Sequence, residues 1–368
     1  MQGCDVLIVG GGAIGCAIAY FVAKEGAKTL LLERGEVAGE ASGASAGMLA
    51  PLAEAKGPGP FLELGLRSLE MFPTLAQELF GLTGIDIGYS QAGILRVAFT
   101  PHEQAELRSK QRWQRALGVE LLDGEGVRLL EPRLSPHVSL ATFSPREGQV
   151  EAGRFTQALA QAAQRLGTQL HLGTEALGLV HQKKRVVGVR TRQGTLWADH
   201  IVLAMGAWTG RFLRRLDLPV ATPPVRGQML AYRGHWVRHI VWGGGGYLVP
   251  KGSGFTFVGA TVERVGFRPH TTKRGIRFLR QVAARLIPAL RGAETASSWA
   301  GLRPGSPDDL PIMGRAPGWE RLWVACGHFR NGILLAPITG ATLARAILKD
   351  EEVGLLAPFS PGRFSSSP

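Results

Sequence analysis

Two periods of apolar residues run through the 368-residue chain. Residues 5–9 form a short apolar run bounded by glycines, the pattern of a buried parallel strand. An apolar helix follows through Ala17, Ile18, Phe21 and Val22, and Thr29–Leu32 predicts a second strand. Helical spacing returns in residues 150–166, where Phe155, Leu159, Ala162, Ala163 and Leu166 share a face. It returns again in residues 273–287 and from about 338 to 348. Strands are predicted at 169–172, 177–180, 186–191 and 196–198, then in the apolar run 200–208 and in Leu322–Cys326. Residues 85–97 and 225–261 are strand-rich, with Gly and Pro punctuation. The alternation of strand and helix in the first part predicts an α/β chain with a doubly wound sheet.

Residues 6–23 carry no charge and approach the length of a membrane span. Three consecutive glycines in their middle and the lack of a basic stretch before them fit a strand, tight turn and helix instead. The expectation is a cytoplasmic protein with no membrane anchor. Apolar residues make up 45% and charged residues 19%, which excludes a disordered chain. Three scattered cysteines (Cys4, Cys16, Cys326) are too few for a disulfide framework or a zinc site, so no metal is expected.

The net charge of +13 changes the picture less than its size implies. Residues 211–291 hold 15 basic side chains and two acids, Asp217 and Glu263, while the remainder is neutral. A solvated basic face on the 273–287 helix, with Arg277, Arg280 and Arg285 outward, accounts for part of it. A subunit or acidic-partner contact is the alternative, and nucleic acid is not the expected partner.

The chemistry sits at the first turn. Gly10-Gly11-Gly12-Ala13-Ile14-Gly15 is G-x-G-x-x-G between the first strand and helix, and Glu33 ends the second strand. Gly10 permits the tight turn, Gly12 lets a pyrophosphate approach the backbone, and Gly15 lets the helix close on the strand. The helix N-terminus at Ala13 and Ile14 offers N–H groups to phosphate. Glu33 can accept from a ribose 2′-OH and repels a 2′-phosphate, which favours FAD or NAD over NADP. Arg34 follows at the same strand end. The small-residue run 39–48 places Ser42, Ala44, Ser45, Gly47 and Met48 where backbone can lie against a flat ligand.

Farther on, Ser298-Trp299-Ala300-Gly301-Leu302-Arg303-Pro304-Gly305 pairs with Gly327-His328-Phe329-Arg330-Asn331-Gly332-Ile333-Leu334-Leu335-Ala336-Pro337. Together with the 10–15 turn, Glu33 and the 42–47 run, these motifs resemble the FAD-dependent D-amino-acid oxidase superfamily. Within it they resemble the glycine oxidases of thiamin biosynthesis. The resemblance covers nearly the whole chain. It implies an FAD-binding, Rossmann-like domain in residues 1–84, 147–217 and 298–358. An antiparallel-sheet α+β substrate domain is implied in 85–146 and 218–297, with a tail at 359–368. It also implies non-covalent FAD, with Cys326 a buried thiol and not a flavin linkage. Gly206 and Trp208 return the chain to the cofactor, and His328, Arg330, Asn331, Gly332, Ile333 and Leu334 form the loop over the flavin. Asn331, the single Asn of the chain, is expected in left-handed turn geometry.

The resemblance further implies that Arg303 anchors a substrate carboxylate, with Tyr247 beside it, Arg330 assisting and Met48 near the ring. A planar guanidinium suits a carboxylate because it binds both oxygens in one orientation. Gly245 and Val262 depart from the family pocket, where relatives carry histidine and methionine. The implied reaction is oxidation of glycine or a small amine by hydride transfer to FAD. The imine hydrolyses to glyoxylate and ammonia, and dioxygen becomes peroxide. The implied partner is a thiazole-forming enzyme, with a homo-oligomer expected. The alternatives are a sibling sarcosine, proline or D-amino-acid oxidase or dehydrogenase, or a flavoprotein acting on a secondary amine in tRNA.

Overall fold

The computed structural model describes residues 3–218, 220–351 and 353–364. The first strand, Cys4–Val9, lies at the centre of an eight-stranded sheet. It pairs in parallel with Thr29–Leu32 on one side and Gly194–Leu203 on the other. Gln169–His171 and Leu322–Cys326 extend the parallel order at either flank, and Ile312–Arg315 closes one edge antiparallel. The Gly178–Gln182 and Arg185–Thr191 hairpin branches from the Gly194–Leu203 strand. Helices Ala13–Lys24, Ala152–Arg165 and Gly332–Leu348 share one core with this sheet, built on Ile8, Ile18, Phe155 and Leu335. Strands buried on both faces explain why the early runs read as continuously apolar.

The second sheet also has eight strands and is antiparallel except where Ile240–Gly243 meets Ile94–Ala98. Helix Lys273–Leu286 packs Leu279, Val282, Ala283 and Leu286 against it and leaves Arg277, Arg280 and Arg285 exposed, as the pattern predicted. Three other cations of the basic segment are used internally or packed on rings, and Arg285 also lies against a ring. Arg226 and Lys251 are buried, and Arg211 and Arg285 lie 3.6 and 4.5 Å from the Phe267 and Phe99 ring centres.

Three expectations change. Ser297–Pro304, placed with the cofactor domain from residue 298, is an edge strand of the second sheet, paired from Pro224–Pro304 to Ala231–Ser297. The motif on this strand lies near the first domain because the sheet edge borders the cleft between them. The segment treated as a tail from 359 docks instead: Phe359 is fully buried against the first core. Residues 365–368 lie outside the described residues. The last helix begins at Gly332, not near 338. Pro337 supplies no N–H, and the Ser68 hydroxyl fills the gap next to it. That hydroxyl donates to the Leu334 carbonyl at 2.6 Å and accepts from the Ile338 N–H at 3.3 Å. Among the described residues, no helix is long and apolar enough to cross a membrane.

Candidate active site

A cleft of about 460 Å³ runs between the sheets, from Glu33 and Trp208 at one end to Tyr247 and Arg303 at the other. Its floor is the first turn. Gly10 has φ +119, and a Cβ there would sit 2.4 Å from the Ala204 carbonyl. A Cβ at Gly15 would lie 1.9 Å from the Gly10 carbonyl, so that position is set by helix–strand packing and not by the cleft wall. Gly12, Ala13 and Ile14 line the cleft. The Ala13 N–H donates to Ser42 Oγ at 2.9 Å, while Gly12 and Ile14 keep N–H groups with no partner among the described residues, ready for an anion. Ser42 retains its hydroxyl proton for the same phosphate.

Glu33 is occupied more than the sequence indicated. Its oxygens accept from the Gly11 N–H at 2.7 Å and the Gly35 N–H at 2.8 Å. Each carboxylate oxygen keeps a second lone pair, so ribose hydroxyls still fit. Arg34 pairs with Glu40 at 2.5 Å and lies 4.0 Å from the Trp208 ring centre, bracing the wall of the cleft at that end. Gly206, at φ +53, has nothing within 4 Å on its open side and contributes space to the cleft.

The loop before the last helix supplies the opposite wall through His328, Phe329, Arg330, Gly332 and Ile333. His328 is buried, with Nε2 3.1 Å from the Thr339 hydroxyl and Nδ1 without a partner. Burial pushes its pKa down to about 3, so it is a neutral imidazole. An orphaned buried nitrogen, free N–H groups at a helix start and a cradle of glycines are what an FAD molecule would satisfy; the residues fit it.

Four predicted cofactor residues are not in the wall. Gly47 is a glycine because a Cβ there would meet the Val150 carbonyl at 2.0 Å. Ser45 is turned to the Gly47 N–H at 3.1 Å, although it still borders the cleft. Leu334 points into the core, 3.7 Å from the space over Gly65, and Asn331 caps the last helix without a side-chain bond. Asn331 has φ −106, so the left-handed geometry expected of it falls on Phe329 instead, at φ +49. Gly15 completes this group for the reason above.

At the substrate end, Arg303 lies flat on Gly227. A Cβ at Gly227 would come within 2.4 Å of the guanidinium carbon and both terminal nitrogens. Nη1 donates to the Thr261 carbonyl at 2.9 Å, and the Tyr247 hydroxyl stands beside the guanidinium. Burial lowers the pKa of Arg303 and raises that of Tyr247, whose hydroxyl is 3.5 Å from the Met229 sulfur. Met48 borders the same space from the Met48–Leu49 strand. Arg330 does not stand free beside Arg303: its Nε is 3.0 Å from Glu54 Oε1. Glu54, Gly227 and Met229 line this end and were not found from the sequence, where nothing local distinguishes them. Gly245 and Val262, where the sequence departs from relatives, do not line the cleft. Gly245 closes a hairpin against Phe278, and Val262 is 56% exposed.

Residues 5–346 match the family described as FAD dependent oxidoreductase. The chain belongs to that family. A glycine oxidase of Geobacillus kaustophilus is 37% identical across 97% of this chain and 96% of that one. A crystal structure titled glycine oxidase from the same organism superposes with a TM-score of 0.94 at 36% identity, covering 99% of both chains. A bifunctional protein ThiO/ThiG of Synechocystis sp. is 40% identical over 98% of this chain. The chain spans only 54% of that relative's length. An L-proline dehydrogenase from P. horikoshii, at 21% identity and TM-score 0.90, shares the fold. As in the family, the cofactor of this chain is FAD.

Proposed function

We propose that this FAD-dependent oxidoreductase oxidises glycine or a closely related small amine to the imine. Water then yields glyoxylate and ammonia from it, and dioxygen yields peroxide. The observation that carries the reading is Arg303, spread flat on Gly227 with Tyr247 beside it at one end of the cofactor cleft. Its remaining donors can take both oxygens of one carboxylate in a fixed orientation. FAD, when bound, supplies the hydride acceptor and returns the electrons to dioxygen. The protein's part is position: Arg303 and Tyr247 hold the carboxylate, and Met48 and Met229 provide apolar walls that exclude water. No side chain is assigned as a base. His328 is neutral and tied to Thr339 through Nε2, and orientation of a neutral amine carries the chemistry.

The glycine oxidase relatives support the substrate, and the bifunctional relatives support transfer of the product to a second enzyme. Resemblance to the thiamin-linked oxidases makes a thiazole-forming enzyme that partner. The test is an absorption spectrum of the purified holoprotein before and after anaerobic glycine. Bleaching of the flavin bands, restored by air, is the expected result, and a spectrum unchanged by glycine would overturn the reading. Sarcosine, proline and D-alanine in the same assay separate the sibling activities.

A further inference from the structure

The substrate end of the cleft holds three charged side chains, two cationic and one anionic. Among the described residues, Arg303 forms no ion pair with an acid, and Glu54 acts on it only from a distance. Arg330 has Glu54, whose Oε1 lies 3.0 Å from its Nε. Glu54 ends the short Pro51–Glu54 turn, and only 14% of its side chain is exposed. Its surroundings keep it there. Arg96 donates to the Ala53 carbonyl at 2.9 Å and Lys110 to the Ala55 carbonyl at 2.8 Å, on either side of Glu54. The Trp242 ring lies 5.0 Å from the Arg330 guanidinium and 5.3 Å from that of Arg96. Burial raises the pKa of Glu54, while Arg330, Arg96 and Arg303 oppose that shift.

We propose that Glu54 sets the substrate class of the site by neutralising Arg330, which leaves Arg303 as the one uncompensated cation lining the substrate end. This rests on the reading of the cleft as an amino-acid oxidase site. The pocket then matches a ligand with a single carboxylate. A ligand with a second carboxylate would have to place it beside Glu54 or displace Glu54 from Arg330, and either move buries an unpaired charge. Selectivity for monocarboxylic amines over N-carboxymethyl amino acids, which carry two carboxylates, thus comes from a repulsive residue as much as from the anchoring arginine. Loss of the Glu54 charge frees Arg330 and gives two cations for two carboxylates.

The test uses the holoprotein and equilibrium binding, so it does not depend on turnover. Acetate and iminodiacetate are titrated separately, and perturbation of the flavin absorption reports each Kd. In the wild type, acetate is expected to bind at least tenfold tighter than iminodiacetate. Glu54→Gln is expected to move that ratio at least tenfold towards iminodiacetate, and Glu54→Asp to keep the wild-type preference. An unchanged ratio in a folded Glu54→Gln protein overturns the proposal. Where Glu54→Gln does not fold, the double variant decides. Arg330→Gln strands the Glu54 charge and should weaken acetate binding tenfold or more. Glu54→Gln/Arg330→Gln should restore acetate binding without gaining iminodiacetate. Failure of that restoration overturns the proposal. Anaerobic bleaching by glycine, measured on the wild type alone, tests the activity separately from this charge rule.

Discussion

The carbonyl oxygen of Thr261 accepts a hydrogen bond from Nη1 of Arg303 at 2.9 Å, tying the proposed substrate anchor to a loop of the second sheet. A guanidinium held on one edge by a carbonyl and on one face by Gly227 has little freedom to follow a misplaced ligand.

Replacing this anchor should therefore be costly. Arg303→Ala is expected to lower kcat/KM for glycine roughly 10²-fold or more, corresponding to about 3 kcal/mol for a buried charge-assisted pair. Arg303→Lys should recover only part of it, because an ammonium cannot span both oxygens. Steady-state oxygen uptake checks both, and an Ala variant as active as the wild type would remove Arg303 from the site.

Glu263 acts on the anchor from behind. Its carboxylate takes hydrogen bonds from the Thr261 hydroxyl and Gln228 Nε2, both at 2.6 Å, and pairs with the buried Arg226. Glu263→Gln should raise the KM for glycine about tenfold with kcat nearly unchanged, the signature of lost ground-state binding. A fall in melting temperature with no change in KM would make the network merely structural.

Lys251 is buried where the two sheets meet the cofactor loop. Its ammonium donates to the carbonyls of Ala46 and Val150 at 3.1 and 2.9 Å and to Gln149 Oε1 at 3.1 Å, with Glu151 3.5 Å away. Lys251→Met leaves three acceptors unpaired, each costing about 1–3 kcal/mol. We expect weaker FAD retention, read as flavin fluorescence released on dilution, together with a lower melting temperature. Wild-type retention would contradict this role.

Glu147 gives a pH dependence of stability. Both Leu52 and Ala53 donate backbone N–H groups to its Oε1, at 2.6 and 3.1 Å. Burial nevertheless raises its pKa from 4.5 to about 7. The folded state binds this proton more tightly than the unfolded chain. The stabilisation is therefore complete below about pH 4.5 and is lost as pH rises through 7, by at most about 1.4 kcal/mol per pH unit. Glu147→Gln should lack that slope, so the wild-type-minus-variant difference in thermal unfolding should fall as pH rises between these limits. A difference that does not vary with pH would refute it.

What the sequence disclosed was local. The 10–15 turn, Glu33 and the flanking strand and helix are read within thirty residues, and their geometry follows from steric rules that act at that range. Arg303 and Tyr247 were singled out through the family resemblance of the motifs on their strands. Glu54 and Gly227 were not, because their roles exist only where the Pro51–Glu54 turn and the Pro224–Arg233 strand converge with distant chain. Glu263 left one trace, as one of two acids in a segment with 15 cations. The long helix Pro60–Thr83 escaped for another reason: Pro73 and two glycines, Gly65 and Gly81, interrupt its period. The early start of the last helix depends on Ser68, some 270 residues away in sequence, whose hydroxyl stands in for the bond lost near Pro337.

The Ser297–Pro304 strand also serves as a ruler. Trp299, Gly301 and Arg303 alternate onto one face, as every second residue of a strand does. Trp299 Nε1 donates to the Ala44 carbonyl at 3.0 Å, and the absent Cβ of Gly301 leaves room for the Ala44 methyl, which would otherwise be 2.7 Å away. Arg303, the proposed substrate anchor, stands one further step along. The spacing between cofactor loop and carboxylate is thus graduated by backbone pitch, not by side-chain length. The walls of such a pocket can be exchanged for new substrates while the carbon to be oxidised stays at the same mark.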